Sequence, residues 1–237
     1  MVAAPSPTLN AATPYRDPHR HLDSVLAPLE RRTLRWLAER MPRSVHSDHL
    51  TALALCAMAG AGLCYWWAAT NPLGLVAASV CLAINWFGDS LDGTLARVRA
   101  CPRPRYGYYV DHVVDEIGAV FLLGGLAVSG YMSPWVAAAV LIAYFMLCIE
   151  VYLAAHVLDT FRMTFFKMGP TELRVVLAIG NMVALVRPVV SPLGEPMLLF
   201  DAGGVAAAAG LALTWIVSAV TSTRRLYRLE PLPDRRP

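Results

Sequence analysis

Four aspartates at regular spacing are the residues of this sequence best suited to chemistry. Asp89 and Asp92 are three positions apart, which puts them on one face of a helix. Asp111 and Asp115 are four positions apart and share a helical face in the same way. Carboxylate oxygens suit Mg²⁺, Mn²⁺ or Ca²⁺ better than zinc. Two antiparallel helices with these faces opposed would form a cage of four carboxylates around such ions.

Both pairs lie in segments that are apolar enough for a membrane, where a carboxylate is costly. One acid near the middle of a bilayer costs about 2.5–3.5 kcal/mol, so four uncompensated acids would cost on the order of 10 kcal/mol. A cation among the carboxylates offsets this cost. The structural alternative is that the acids pair with nearby arginines, and Arg97 is the best internal partner in the sequence.

Small residues adjoin the acids. Gly93 and Ala96 follow Asp92, and Gly107 precedes Asp111 by about one helical turn. These positions keep the helix surface low beside the carboxylates. We therefore expect room for a bulky ligand next to the ions. If the acids formed only structural ion pairs, the small residues at these positions would be unexplained.

The composition is that of a helical membrane protein. Of the 237 residues, 57% are hydrophobic and 16% are charged, and the mean hydropathy is +0.49. The net charge of +3 is small, and we expect no nucleic-acid partner. The five cysteines have no CxxC spacing, and we interpret them as packing residues rather than zinc ligands or disulfides: Cys56, Cys64, Cys81, Cys101 and Cys148.

Six apolar segments each approach the ~20 residues that cross the hydrocarbon core of a bilayer. They run over 49–69, 73–98, 108–128, 134–158, 171–190 and 202–222. The predicted fold is an all-α membrane protein, with a six-helix domain over residues 43–223. No internal repeat is evident, which gives little support to an inverted-repeat transporter.

Basic residues concentrate in alternate loops and in the C-terminal tail. They are Arg97, Arg99, Arg103 and Arg105 after the second segment, Arg162 and Lys167 after the fourth, and Arg224, Arg225 and Arg228 after the sixth. The positive-inside rule then predicts that both termini are cytoplasmic and that residues 224–237 form a basic cytoplasmic tail. The acids lie near this same boundary, within reach of soluble substrates.

The N-terminal region divides into two parts. Residues 1–21 are predicted to be a disordered tail, and residues 22–42 an amphipathic juxtamembrane helix. Its apolar residues include Leu22, Val25, Leu26, Leu29, Trp36 and Leu37, and its cations are Arg31, Arg32, Arg35 and Arg40. This pattern indicates a helix on an anionic membrane surface. Packing against the rest of the protein is the alternative, and the two are compatible.

The acids and their small neighbours resemble the signature of the CDP-alcohol phosphotransferase family. The family pattern is D-x2-D-G-x2-A-R, a short gap, and then G-x3-D-x3-D. Every defining position is filled here, by Asp89, Asp92, Gly93, Ala96, Arg97, Gly107, Asp111 and Asp115. The six-segment layout is similar to the family core. In the family's Pro-Asn-x-Leu-Thr-like helix start, this chain has Asp48 where Asn is usual.

The resemblance implies an enzyme that cleaves the pyrophosphate of a CDP-linked alcohol, transfers the phospho-alcohol to a hydroxyl and releases CMP. It implies Mg²⁺ or Mn²⁺, as two ions, bound by the four aspartates, with Asp115 also the general base. The residues that would hold the CDP portion are Asn85, Gly93, Ala96, Arg97 and Gly107.

Two substrate arrangements are compatible with this resemblance. In the first, CDP-diacylglycerol gives its phosphatidyl group to a small alcohol, and the compact size favours this arrangement. In the second, a small CDP-alcohol reacts with a lipid hydroxyl. Arg162, Lys167 and Arg174 could bind an acceptor phosphate, although the first two could equally serve topology alone.

A weaker resemblance, to the choline/ethanolamine phosphotransferase branch, favours the second arrangement. It depends on the Asp-His pair at 111–112 and on the stretch 169–172, Gly-Pro-Thr-Glu. If it holds, His112 or Glu172 would share the role of base with Asp115. Otherwise His112 fills the flank of its helix, and Thr171 with Glu172 caps a helix N-terminus.

A transporter or channel for divalent cations is the competing class, because acids within membranes are common there too. Such a protein should carry acids at several depths, whereas these acids concentrate near one face. By resemblance to the family we also expect a homodimer. The predicted location is a bacterial inner or cell membrane, with the active site at the cytoplasmic face.

Overall fold

The computed structural model describes residues 27–158, 169–192, 194–230 and 232, and most of these are helical. The helices are α1 (Ala27–Arg40), α2 (Ser47–Ala68), α3 (Leu73–Val98), α4 (Pro104–Val128), α5 (Pro134–Leu158), α6 (Pro170–Val186) and α7 (Leu199–Leu229). A short antiparallel ladder of β1 (Val189–Val190) and β2 (Met197–Leu198) joins α6 to α7. The predicted all-helical architecture is confirmed.

Four helices, α2, α3, α5 and α7, are long and apolar enough to cross a membrane by length and composition. The helix α4 is long enough, but three acids interrupt its apolar sequence: Asp111, Asp115 and Glu116. The helix α6 has only 17 residues. The structure thus supports four candidate spans, and the count of six stays a prediction.

The end of the fifth predicted segment was wrong. We expected it to continue to residue 190, but α6 ends at Val186. Arg187 precedes Pro188 and has a non-helical backbone, with φ −137° and ψ 78°. A proline disfavours helical geometry in the residue before it, and it also removes a backbone donor. The chain therefore leaves the helix there and forms the short ladder.

The helices α2 and α3 form a close antiparallel hairpin. A Cβ atom added at Gly88 would lie 2.6 Å from the carbonyl oxygen of Leu50, and one added at Gly74 would lie 2.5 Å from that of Cys64. Such distances mean that the two backbones are in direct contact, which only small residues allow. The end of α3 is thereby fixed beside the start of α2.

The helix α4 packs on another side of α2 and runs parallel to it. A Cβ atom at Gly62 would lie 2.4 Å from the carbonyl oxygen of Phe121, and one at Gly125 would lie 2.4 Å from that of Gly62. Because α3 and α4 both use α2 as their support, their acid-bearing segments lie at the same end of the bundle.

The remaining helices enclose this unit. The helix α6 packs antiparallel on α3, whereas α5 packs on α4 and on α7. A buried polar link joins three helices: the Tyr65 hydroxyl donates to Asn181 Oδ1 at 3.0 Å, and Asn181 Nδ2 donates to Ser79 Oγ at 3.0 Å. Both Tyr65 and Asn181 are fully buried. This link fixes how α2, α3 and α6 align.

The helix α1 packs against α3 at the end that bears the acids. Its buried residues Leu34 and Ala38 contact a cluster that includes Leu91 and Leu95. Trp36 is 52% exposed, and the guanidinium of its neighbour Arg40 lies over its ring. Of the predicted 22–42 helix, residues 27–40 are helical and pack on the bundle, and the helix ends two residues earlier than predicted. Residues 1–26, 159–168, 193, 231 and 233–237 lie outside the described residues, including Arg162 and Lys167.

A substitution that adds one methyl group tests the glycine contact between α2 and α4. Gly125→Ala should destabilise the fold by about 1–3 kcal/mol, because its Cβ meets backbone atoms that cannot move aside alone. Gly124→Ala is the matched control, since nothing lies within 4 Å of an added Cβ there. Thermal unfolding in detergent measures both. Equal melting temperatures for the two variants would contradict the close packing.

Candidate active site

Three of the four predicted metal ligands converge. Asp89 of α3 and Asp111 and Asp115 of α4 each offer a carboxylate oxygen, and these three atoms lie within 4.8 Å of one another. All three residues are partly buried. Three carboxylates in such proximity suit a hard divalent cation, whose charge would compensate their mutual repulsion. The donor set thus fits the metal that the sequence predicts.

The fourth acid, Asp92, is directed to α2 instead. Its Oδ2 accepts a hydrogen bond from Thr51 Oγ1 at 2.6 Å, and its Oδ1 accepts one from the backbone N–H of Gly93 at 2.5 Å. Its backbone carbonyl also accepts a bond from Ser47 Oγ at 3.0 Å. Asp92 thus joins the acid site to the start of α2, and its role as a metal ligand stays a prediction.

An arginine from α6 contacts the acid group. Arg174 Nη2 lies 2.6 Å from Asp89 Oδ2, and Arg174 Nε donates to Asn85 Oδ1 at 2.8 Å. Asn85 is 4% exposed, and its Nδ2 donates to the carbonyl oxygen of Ala54 at 3.0 Å. Asn85 therefore orients Arg174, and both polar ends of its amide have partners within the protein.

Arg97 is not the arginine that pairs with these acids, contrary to the structural alternative raised from the sequence. Its side chain is exposed, and its Nη2 donates to Thr94 Oγ1 at 3.1 Å. The partner is Arg174, which lies 85 positions from Asp89 in the chain. Sequence spacing could not reveal this pair, because it depends on how α6 packs on α3.

The small residues leave space, as expected. Nothing lies within 4 Å of a Cβ atom added at Gly107, and the nearest atom to one at Gly93 belongs to the Arg97 side chain, at 3.5 Å. Ala96 is partly buried on the last turns of α3. The helix surface beside the acids therefore has no side chain at Gly93, and the space around Gly107 is open.

His112 packs against α5. It is 6% exposed, and its ring centroid lies 4.2 Å from that of Tyr108 and 5.2 Å from that of Tyr152. Its Nδ1 is 2.6 Å from the carbonyl oxygen of Tyr108. These contacts support the interpretation that His112 fills the flank of α4.

Glu172 caps the N-terminus of α6. Its Oε2 accepts a hydrogen bond from the backbone N–H of Gly169 at 2.9 Å, with Pro170 at the first helical position. This arrangement follows the usual preference for an acid at the third helical position. Thr171, the other residue of the capping alternative, donates its hydroxyl to Glu30 Oε1 at 2.7 Å.

A groove between α2 and α4 lies beside Asp92. It is lined by Asp48, Thr51, Ala52, Leu55, Tyr106, Val110 and Val114. Thr51 lines the groove and also donates a hydrogen bond to Asp92. The Thr51 side chain therefore separates the groove from Asp92. At its rim, Arg103 pairs with Asp48 and lies 4.1 Å above the Tyr106 ring. The sequence analysis assigned Arg103 only to a basic loop and did not single out Tyr106. The unusual Asp48 was the one signal that pointed to this groove.

Comparison with known proteins agrees with this geometry. A family model described as CDP-alcohol phosphatidyltransferase matches residues 45–221, a range that includes all four aspartates and Arg174. No curated protein sequence matches at a significant level. The matched range covers well over half of the chain, and the family consists of transferases of phospholipid synthesis that generally require a divalent metal. The chain therefore belongs to the CDP-alcohol phosphatidyltransferase family of membrane transferases.

Proposed function

We propose that this chain catalyses the Mg²⁺-dependent transfer of a phosphatidyl group from CDP-diacylglycerol to the hydroxyl of a small alcohol, with release of CMP. The observation that carries the proposal is the convergence of Asp89, Asp111 and Asp115 beside the low surface at Gly93 and Gly107. That combination suits a charged diphosphate next to bound cations. The compact chain favours the lipid as donor.

All four acids are metal ligands in this proposal. Asp89, Asp92, Asp111 and Asp115 would hold two Mg²⁺ ions, and Mn²⁺ would serve in their place. When bound, the ions supply positive charge that offsets the charge on the diphosphate and on the departing CMP. Asp92 reaches them by exchanging its bond with Thr51. The fixed carboxylates of α3 and α4 thereby determine where the diphosphate lies.

The transfer itself exchanges one phosphorus–oxygen bond for another. The acceptor oxygen bonds to the phosphorus of the phosphatidyl group, and the bond from that phosphorus to the bridging oxygen breaks. CMP leaves with the bridging oxygen and its electron pair. Asp115 accepts the proton of the attacking hydroxyl, because it belongs to the acid group beside which the diphosphate would bind.

The nucleotide portion lies on the open surface at this end of the bundle. Gly93, Ala96 and Gly107 allow it to approach, and the exposed Arg97 contacts its phosphates. Asn85 acts through Arg174, since both ends of its amide are already bonded. Arg174 neutralises part of the acid group rather than binding a distant acceptor.

The membrane arrangement follows from charge. Arginines of α1, of the segment between α3 and α4, and of the end of α7 lie at the end of the bundle that bears the acids. Under the positive-inside rule this end faces the cytoplasm, with α2 to α7 as six spans and both termini on that side. We place the protein, as a homodimer, in a bacterial cell membrane, where CMP can leave into the cytoplasm.

The second candidate function uses a small CDP-alcohol and a lipid hydroxyl, as in choline/ethanolamine phosphotransferases. The Gly-Pro-Thr-Glu stretch at 169–172 favours it, because this stretch resembles a feature of that branch. Against it, the carboxylate of Glu172 caps α6 and His112 is enclosed by two tyrosines. These contacts favour Asp115 as the base in either arrangement.

Release of CMP by the purified protein tests the proposal. With Mg²⁺ and CDP-diacylglycerol, we expect CMP when glycerol phosphate, inositol phosphate or serine is the acceptor. CMP formed solely from CDP-choline or CDP-ethanolamine with diacylglycerol would support the second candidate. Cation flux in vesicles without CMP from any CDP-alcohol would contradict the enzyme function altogether.

Asp115→Asn tests the general base. The substitution removes the proton acceptor but retains shape, so turnover should fall by about 10²–10⁴-fold while binding of CDP-diacylglycerol is largely kept. Single-turnover CMP release and equilibrium binding measure the two effects. His112→Gln is the matched comparison on the same helix and should retain most activity. Full activity of Asp115→Asn together with loss in His112→Gln would move the base to His112.

Asp92→Asn tests the fourth ligand. We expect turnover to be abolished and Mn²⁺ affinity to fall at least about tenfold. Thr51→Val removes the hydroxyl that holds Asp92 away from the acid group but leaves the carboxylate intact. This control should therefore keep metal affinity, as measured by electron paramagnetic resonance of free Mn²⁺. Normal activity of Asp92→Asn would rule out its role as a ligand.

A further inference from the structure

An acid lies on the inward side of the amphipathic helix α1. Glu30 precedes Leu34 by four positions and Ala38 by eight, and both of those residues are buried against α3. Residues four positions apart share a helical face. The exposed charges of α1 are Arg31, Arg32, Arg35, Glu39 and Arg40. Neither membrane binding nor apolar packing accounts for a carboxylate at position 30.

The Glu30 carboxylate accepts hydrogen bonds from two other helices. Its Oε1 accepts from Trp86 Nε1 at 2.8 Å and from Ser90 Oγ at 3.2 Å, both on α3. The same atom accepts from Thr171 Oγ1 at 2.7 Å, in the first turn of α6. One oxygen atom thus links α1, α3 and α6, and ionised acceptors make stronger hydrogen bonds than neutral ones.

This link lies beside the contacts of Arg174. Trp86 follows Asn85 in the chain and Ser90 follows Asp89, so both donors on α3 neighbour a residue that Arg174 contacts. Thr171 precedes Arg174 by three positions on α6. Two adjacent layers of polar contacts therefore hold α3 and α6 together, one through Glu30 and one through Arg174.

We propose that Glu30 is a positioning residue for the acid site: by joining the first turn of α6 to α3, it holds Arg174 against Asn85 and Asp89. The positive charge of Arg174 then limits how strongly the carboxylates attract a cation. The role of this acid site in catalysis rests on the proposed transferase function, whereas the effect of Glu30 on cation binding does not.

Loss of the Glu30 carboxylate has a defined consequence. The hydroxyls of Ser90 and Thr171 can turn to carbonyls of their own helices, so the link between the helices is what disappears. The start of α6 is then held less firmly, and Arg174 no longer stays at Asp89. The acid group loses a competing positive charge, which raises its affinity for a divalent cation.

Titration of the full-length protein in detergent with Mn²⁺ alone tests this inference. Glu30→Ala should bind Mn²⁺ about fivefold more tightly, as expected for removal of one partly buried ion pair. Arg174→Gln should do the same, and the double variant should bind no more tightly than either single variant. Electron paramagnetic resonance of free Mn²⁺ gives the affinities without any substrate.

Two controls separate position from charge. Glu30→Gln removes the negative charge but keeps an oxygen acceptor, so its Mn²⁺ affinity should stay near that of the unmodified chain. Glu39→Ala removes an exposed acid from the same helix and should change nothing. If Glu30→Ala does not fold, Thr171→Val removes only the bond to α6, and it should raise the affinity in the same direction.

The inference is overturned if folded Glu30→Ala binds Mn²⁺ equally or more weakly, or if its effect adds to that of Arg174→Gln. The proposed function fails separately, through absence of CMP release by the unmodified protein. The unmodified protein could release no CMP while the effects of Glu30→Ala and Arg174→Gln on Mn²⁺ affinity are non-additive. That result would support the positioning role of Glu30 and contradict the proposed reaction.

Discussion

Carboxylates inside an apolar bundle require nearby positive charge, and the arrangement of α3, α4 and α6 meets this requirement. Asp89, Asp111 and Asp115 come from two helices that are both held by α2. Arg174 of α6 compensates one of them directly. The three carboxylates form a donor set that suits a hard divalent cation, and they lie at one end of the bundle.

Glycine makes this concentration of charge possible. The contacts at Gly88 and Gly125 bring backbones together, so α3 and α4 each approach α2 more closely than larger side chains would allow. Polar groups farther along the bundle, such as the Tyr65–Asn181 pair, then fix the alignment of the helices. Dispersion contacts and hydrogen bonds replace the hydrophobic effect, which contributes little between helices surrounded by lipid.

Sequence spacing predicted which residues share a helical face, and it missed contacts between residues far apart in the chain. The helical pairing of Asp111 and Asp115 follows from four positions of separation, and the glycines follow from the family pattern. The partner of Asp89 could not be predicted, because Arg174 meets it only after α6 packs on α3. Likewise, capping of its own helix was one alternative for Thr171, whereas its bond to Glu30 joins residues 141 positions apart in the chain.

The order of synthesis gives the buried Glu150 of α5 a particular meaning. Every residue of the acid site precedes α7, so a growing chain contains all of these residues before α7 is made. Glu150 accepts hydrogen bonds from Ser218 at 2.5 Å and Ser222 at 3.0 Å, both on α7. Until α7 is inserted, that carboxylate lacks these two donors within the membrane. Glu150 thus obtains two hydrogen-bond donors from α7, a helix that carries none of the acid-site residues.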